Sequence, residues 1–89
     1  MHNLKIAPAA ERDIGKIRQR ASEQDSERLQ RAIANLAEEP RPLGVRKLKA
    51  KDSTYRIRVG NYRVIYDVYD GDSEVVILRV LRRTEATYR

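Results

Sequence analysis

The segment Thr54–Tyr66, TYRIRVGNYRVIY, leaves the chain few ways to fold. Two runs of β-branched and aromatic residues flank Gly60-Asn61. That dipeptide favours a two-residue hairpin turn, because glycine accepts positive φ at the first central position. Such a turn sets Val59 opposite Tyr62, Arg58 opposite Arg63, Ile57 opposite Val64 and Arg56 opposite Ile65. Side chains alternate across a strand. Tyr55, Ile57, Val59, Tyr62, Val64 and Tyr66 therefore share one apolar face, while Arg56, Arg58 and Arg63 share the other. Like charges directly opposed on a hairpin are destabilising. An anion bound between Arg58 and Arg63 would relieve that cost.

The rest of the chain supplies a cover for the apolar face. His2–Ala7 reads as a short strand. Pro8 suits the first turn of a helix, where its missing N–H costs nothing. Ala10, Ile14, Ile17 and Ala21 then recur at helical spacing. Ser22 or Asp25 can cap a second helix, whose stripe is Leu29, Ala32, Ile33, Leu36 and Ala37. Pro40 and Pro42 end it, since the residue before proline avoids helical geometry. Both stripes are thin and need a sheet to complete the core. Residues 41–53 form a basic connector with Arg46, Lys47, Lys49 and Lys51 beside the hairpin. Asp70–Ser73 is a turn by composition, and Glu74–Arg82 is the most apolar strand. A four-residue loop sets Leu78 opposite Ile65 and Val80 opposite Arg63, so that Val76, Leu78, Val80 and Arg82 join the arginine face. A bulge would reverse this.

The order is β-α-α-β-β-β across residues 1–89. It describes a single α+β domain with a small antiparallel sheet and a two-helix hairpin on one face. Ile14, Leu29, Ile33 and Leu36 should pack on Tyr55, Ile57, Val64, Tyr66 and Ile77.

Charge narrows the functional classes. The chain of 89 residues carries a net charge of +6. Residues 1–39 balance seven basic against seven acidic residues, whereas residues 40–89 hold twelve basic and six acidic. Four of those acids cluster at Asp67, Asp70, Asp72 and Glu74. A basic half of this kind fits nucleic acid or an acidic partner. With no cysteine and one histidine, His2, a Ser/His/Asp triad, a thiolate site or a histidine-rich metal site is not expected. No cofactor is expected. No apolar run approaches the roughly 18 residues of a membrane span, and no signal-peptide core is evident, so a cytoplasmic location is expected.

The element order, the basic Leu-x-Lys stretch, the Tyr-Arg-Ile-Arg-Val-Gly-Asn-Tyr-Arg-Val-Ile-Tyr hairpin and the closing Arg-Arg-x-x-x-x-Tyr-Arg resemble the RelE/ParE toxin superfamily of bacterial toxin–antitoxin systems. The resemblance implies a toxin neutralised by an acidic antitoxin. It also implies one of two activities: ribosome-dependent cleavage of messenger RNA, or inhibition of DNA gyrase. For the first, it places Arg56, Arg58, Arg63, a last-strand arginine and Tyr88 around the scissile phosphate. Arg82 fits the last-strand position by its spacing to Tyr88 and Arg83 fits by motif; alternation favours Arg82. Arg46, Lys47, Lys49, Lys51, Arg83 and Arg89 would add RNA contacts. Where the best-known pattern has hairpin lysines this chain has arginines, which effectively cannot act as bases. A basic nucleic-acid-binding module without catalysis is a third possibility.

The chemistry is self-consistent. RNA carries its own nucleophile, the 2′-OH. Cleavage to a 2′,3′-cyclic phosphate requires in-line orientation, charge stabilisation on the phosphorane and proton movement. Arginines bind phosphate oxygens in bidentate fashion. Tyr88 can stack on a base, or accept a proton if neighbouring arginines lower its pKa.

Overall fold

The computed structural model describes residues 1–48 and 53–83. The elements are β1 (Asn3–Ile6), α1 (Pro8–Arg20), α2 (Glu23–Asn35), β2 (Arg46–Lys47), β3 (Thr54–Val59), β4 (Tyr62–Tyr69) and β5 (Glu74–Arg82). They form one five-stranded sheet in the order β1-β5-β4-β3-β2. α1 packs over β5 and α2 approaches β3.

The helices begin as their sequences require. Pro8 opens α1 behind Ala7. Ser22 caps α2, its hydroxyl accepting from the Asp25 N–H at 3.1 Å. That bond satisfies one of the orphan amide donors of the first turn. α2 ends at Asn35, followed by a tightened turn through Leu36, whose N–H donates to the Ile33 carbonyl.

The β3–β4 hairpin has the expected register. Val59 pairs with Tyr62, Arg58 with Arg63, Ile57 with Val64 and Arg56 with Ile65. Gly60 has φ +56°, and Asn61 is not among the positive-φ residues, which is the signature of a turn with glycine first. The core lies between this hairpin, β5 and the helices. Tyr66, Leu36, Ile77, Val64 and Val75 are its largest fully buried side chains, and Leu29 and Ile33 join them. Ile14 is partly buried against the same cluster. Full burial of each such aliphatic side chain contributes roughly 1.5–3 kcal/mol relative to exposure.

Three features depart from expectation. The basic connector contributes β2, a two-residue strand that pairs antiparallel with β3. β1 runs parallel to β5, so the sheet is mixed: antiparallel from β2 to β5, with one parallel edge. From β1 the chain passes through both helices to β2 on the far edge, and the antiparallel run β2-β3-β4-β5 then brings β5 back beside β1 in parallel. The third departure is a register shift in the β4–β5 ladder between Ile65 and Tyr66. Below it the four-residue loop sets the anticipated pairs, Tyr69 with Glu74 and Tyr66 with Ile77. Above it Ile65 pairs with Arg79, Val64 with Val80, Arg63 with Leu81 and Tyr62 with Arg82. Leu78 is the extra residue. The expected pairs Leu78–Ile65 and Val80–Arg63 do not form. Val80 is instead buried in the core, and Arg82 shares the Tyr62 side of the sheet.

Asp13 holds the bulged end of β5. β1 stops at Ile6, so the upper edge of β5 lacks a strand partner there. The Asp13 carboxylate, reaching from α1, accepts the Val80 N–H at 2.9 Å and the Arg79 Nε at 2.7 Å. One carboxylate thus satisfies an edge amide that a strand would otherwise pair. The opposite end of the domain is held by Arg41, which donates to Asp70 and to the Tyr55 hydroxyl. The Tyr66 hydroxyl, beneath it, donates to the Pro40 carbonyl at 2.7 Å.

Candidate nucleic-acid interface

The sheet face opposite the helices is built by alternation along β3 and β4. Thr54, Arg56 and Arg58 lie in one row, and Asp67, Ile65 and Arg63 lie across from them. Arg46 of β2 stands opposite Arg56 and extends the same face. Two pairs of opposed arginines, Arg46–Arg56 and Arg58–Arg63, therefore sit side by side. Arg46, Arg58 and Arg63 make no ion pair among the described residues. The Nε of Arg63 is buried without a hydrogen-bond partner among those residues, and the Nε of Arg56 is likewise shielded from solvent. Ile65 lies between Arg56 and Arg63 and is 4% exposed, although it faces away from the helices. Aliphatic arginine stems can cover an apolar neighbour while presenting their charged heads outward.

The face changes character toward its lower end. Asp67 is buried there and accepts from the Thr54 hydroxyl, from the Tyr69 hydroxyl at 2.8 Å and from Ser53 at 3.5 Å. Its bond to Tyr69 pushes the tyrosine pKa up, because the phenol proton is held by the carboxylate. Asp67 is thus occupied locally and forms no ion pair with Arg46, Arg58 or Arg63 among the described residues. The period-2 alternation from Arg63 could have identified it, since residues 63, 65, 67 and 69 must share a face.

The other anticipated residues divide into three groups. Lys47 is exposed but pairs with Tyr55, on the other side of the sheet from Arg46. Arg82 was expected on the Arg63 face and is not there: Leu81 takes the place opposite Arg63, and Arg82 pairs with Tyr62. The bulge at Leu78 causes this reversal, because one inserted residue exchanges the two faces of everything beyond it. Arg83 follows, exposed, with its N–H donating to the Asn61 carbonyl at 2.7 Å. Lys49, Lys51, Tyr88 and Arg89 lie outside the described residues.

A cavity of about 660 Å³ opens along the outer edge of β3, lined by Arg28, Leu43, Arg46, Arg56, Arg58 and Gly60 among others. Leu43 is fully exposed at its rim. Paired guanidinium groups at such an edge can grip a phosphodiester through two parallel hydrogen bonds per arginine. Among the described residues no group of three His, Asp or Glu side chains is placed to hold a metal ion. No helix there is long and apolar enough to cross a membrane.

Known proteins share this architecture. The chain is similar to RelE in the RelE–RelB complex from Pyrococcus horikoshii, with a TM-score of 0.77 and 29% identity over 96% of this chain and 98% of that one. The isolated Escherichia coli RelE toxin shares the fold, with a TM-score of 0.73 and 21% identity over 92% of this chain and 84% of that one. A Methanocaldococcus jannaschii protein named as toxin RelE1 is 38% identical over 45 residues, a match that spans 51% of this chain and 49% of that relative. The family model for the ParE toxin of the type II toxin–antitoxin system parDE matches residues 4–87. With nearly the whole chain matched and the fold shared, this protein belongs to the RelE/ParE toxin family of type II toxin–antitoxin systems.

Proposed function

We propose that this toxin is an endoribonuclease that cleaves ribosome-bound messenger RNA by attack of a 2′-OH on the adjacent phosphate. One observation carries the reading: Arg58 and Arg63 stand opposed on the sheet face opposite the helices, without an ion pair among the described residues and with Arg46 and Arg56 beside them. Opposed like charges cost stability, and a dianionic phosphorane between them would return it. Arg58 and Arg63 hold the non-bridging oxygens and stabilise the charge that develops in the transition state. Arg56, with its Nε shielded from water, fixes the ribose–phosphate geometry. Arg83, which follows β5 and is tied to the hairpin turn through its N–H bond to the Asn61 carbonyl, takes the last-strand role. Tyr88 stacks on a base or moves a proton; the arginines remain charged and serve electrostatically. The cleavage leaves a 2′,3′-cyclic phosphate and a 5′-OH, with the 2′-oxygen forming the new P–O bond and the 5′-oxygen leaving.

An acidic antitoxin segment is the natural neutralising partner, since it can cover the same arginines. The RelE of Pyrococcus horikoshii and that of Escherichia coli have each been solved with a RelB partner. The toxin would then act in the cytoplasm, where ribosomes are. A second reading, gyrase inhibition, is favoured by the match to a ParE family model. Expression in cells, followed by mapping of message 5′ ends and a parallel supercoiling assay, separates the two. New message ends with unimpaired gyrase support the nuclease, and blocked supercoiling with intact message overturns it.

A further inference from the structure

The bulge that removes Arg82 from the arginine face delivers it to another basic site. A cavity of about 450 Å³ lies between α1 and the end of β5, lined by Asp13, Lys16, Gln19, Arg20, Tyr62 and Arg82 among others. Lys16, Arg20 and Arg82 are exposed and make no ion pair among the described residues. The one acid in the wall, Asp13, is 13% exposed and is occupied by Arg79 and the Val80 N–H. Of its apolar lining, Tyr62 and Val80 are buried while Ile17 and Leu81 are half-buried beside the cations. Three cations without an ion pair among the described residues, against one occupied acid, favour an anionic ligand here, with the Gln19 amide as a neutral donor.

We infer that this cavity is a second phosphate site, in which Lys16, Arg20 and Arg82 hold a backbone phosphate of the RNA whose neighbouring segment lies on the arginine face. The site depends on the RNA-directed reading above. Tyr62 and Arg63 are adjacent on β4 and point to opposite sides of the sheet. An RNA strand crossing the Gly60-Asn61 end of the sheet would pass from Arg63 to Arg82, with exposed Arg83 tied to that turn. The reversed facing of Arg82 gives the toxin two grips on one strand, one at the reacting phosphate and one beyond it.

The test uses the purified chain and a labelled 2′-O-methyl RNA oligomer, which binds but has no free 2′-OH to react. Affinity is measured against salt for wild type, Lys16→Gln/Arg20→Gln, Arg82→Gln and Arg63→Gln, with thermal melts to verify folding. Each lost phosphate contact lowers the log–log salt slope by about 0.7 for single strands. The double variant should lose about 1.4 and Arg82→Gln about 0.7, with affinity falling equally for all RNA sequences. Unchanged slopes in both, alongside a reduced slope for Arg63→Gln, overturn the second site and leave the nuclease reading standing. Absence of RNA binding by wild type at low salt overturns the second site, whereas the nuclease reading is decided by cleavage of ribosome-bound message. If a polyglutamate peptide, and not RNA, is the ligand whose binding the double variant loses, the cavity serves an acidic protein and the inference is wrong.

Discussion

The two faces of the β3–β4 hairpin contain neighbouring residues of the same strands, yet they are held in opposite ways. On the helix side Ile57, Val59, Tyr62, Val64 and Tyr66 are all buried, and each contact there favours folding. On the other side Arg46, Arg56, Arg58 and Arg63 face one another in opposed pairs. For Arg58 and Arg63, which make no ion pair among the described residues, that opposition costs folding free energy rather than supplying it. A sheet only two layers deep could have covered this face with Thr or alternating charges. The difference between the faces teaches that the hairpin's stability comes from one side and its ligand chemistry from the other. Substitutions should therefore separate stability from activity.

The largest effect expected on stability lies in the core. Ile77→Ala, at a side chain with no exposed surface, should destabilise the fold by about 2–5 kcal/mol. Chemical denaturation would measure it, and a loss well under 1 kcal/mol would mean that the helices do not pack on the sheet as described. Asp13→Ala comes next. It strands the Val80 N–H and removes the two Asp13 bonds of Arg79, and should cost about 1–3 kcal/mol. Hydrogen exchange at Val80 should accelerate with it, while Thr54 and Tyr66 stay protected.

Tyr66 lends the comparison a pH dependence. Burial raises its phenol pKa well above the ordinary tyrosine value. Above about pH 10 the unfolded chain releases this proton and the folded chain keeps it. Stability should therefore be complete below that pH and fall as pH rises toward the folded pKa. Tyr66→Phe should cost about 0.5–1.5 kcal/mol at neutral pH through the lost bond to Pro40, and should flatten the alkaline decline. A decline of the same size in the variant would assign it to other groups.

The smallest effect is the most telling for the open face. Arg58→Gln should stabilise the free toxin, by about 0.2–1 kcal/mol, because it removes one opposed charge. A clear destabilisation would mean that the arginines support the fold.

The sequence made much of this legible, for identifiable reasons. The Gly60-Asn61 turn set the β3–β4 register, and with it the facing of Arg56, Arg58 and Arg63. The helix stripes and the Ser22 cap were equally readable, since periodicity and capping are local. The bulge at Leu78 was not. Residues 75–81, VVILRVL, are apolar at nearly every position. A one-residue shift leaves such a run as hydrophobic as before, so no alternation marks the register. Arg82 was misplaced for that reason alone. β2 escaped because two basic residues give no strand signal, and the parallel course of β1 is a tertiary property. Asp13 was hidden by helical context: as one charged residue among many on α1, it gave no sign of the β5 edge it would meet.

The central claim, that the opposed arginines act on a scissile phosphate, is tested most directly by single-turnover cleavage of ribosome-bound message with wild type and Arg63→Ala. Wild type should yield fragments ending in 2′,3′-cyclic phosphate. The variant, folded and with a melting temperature equal to or slightly above wild type, should cleave about 10²–10³ times more slowly. Equal rates for the two proteins, or an intact message in the presence of wild type, would contradict the claim.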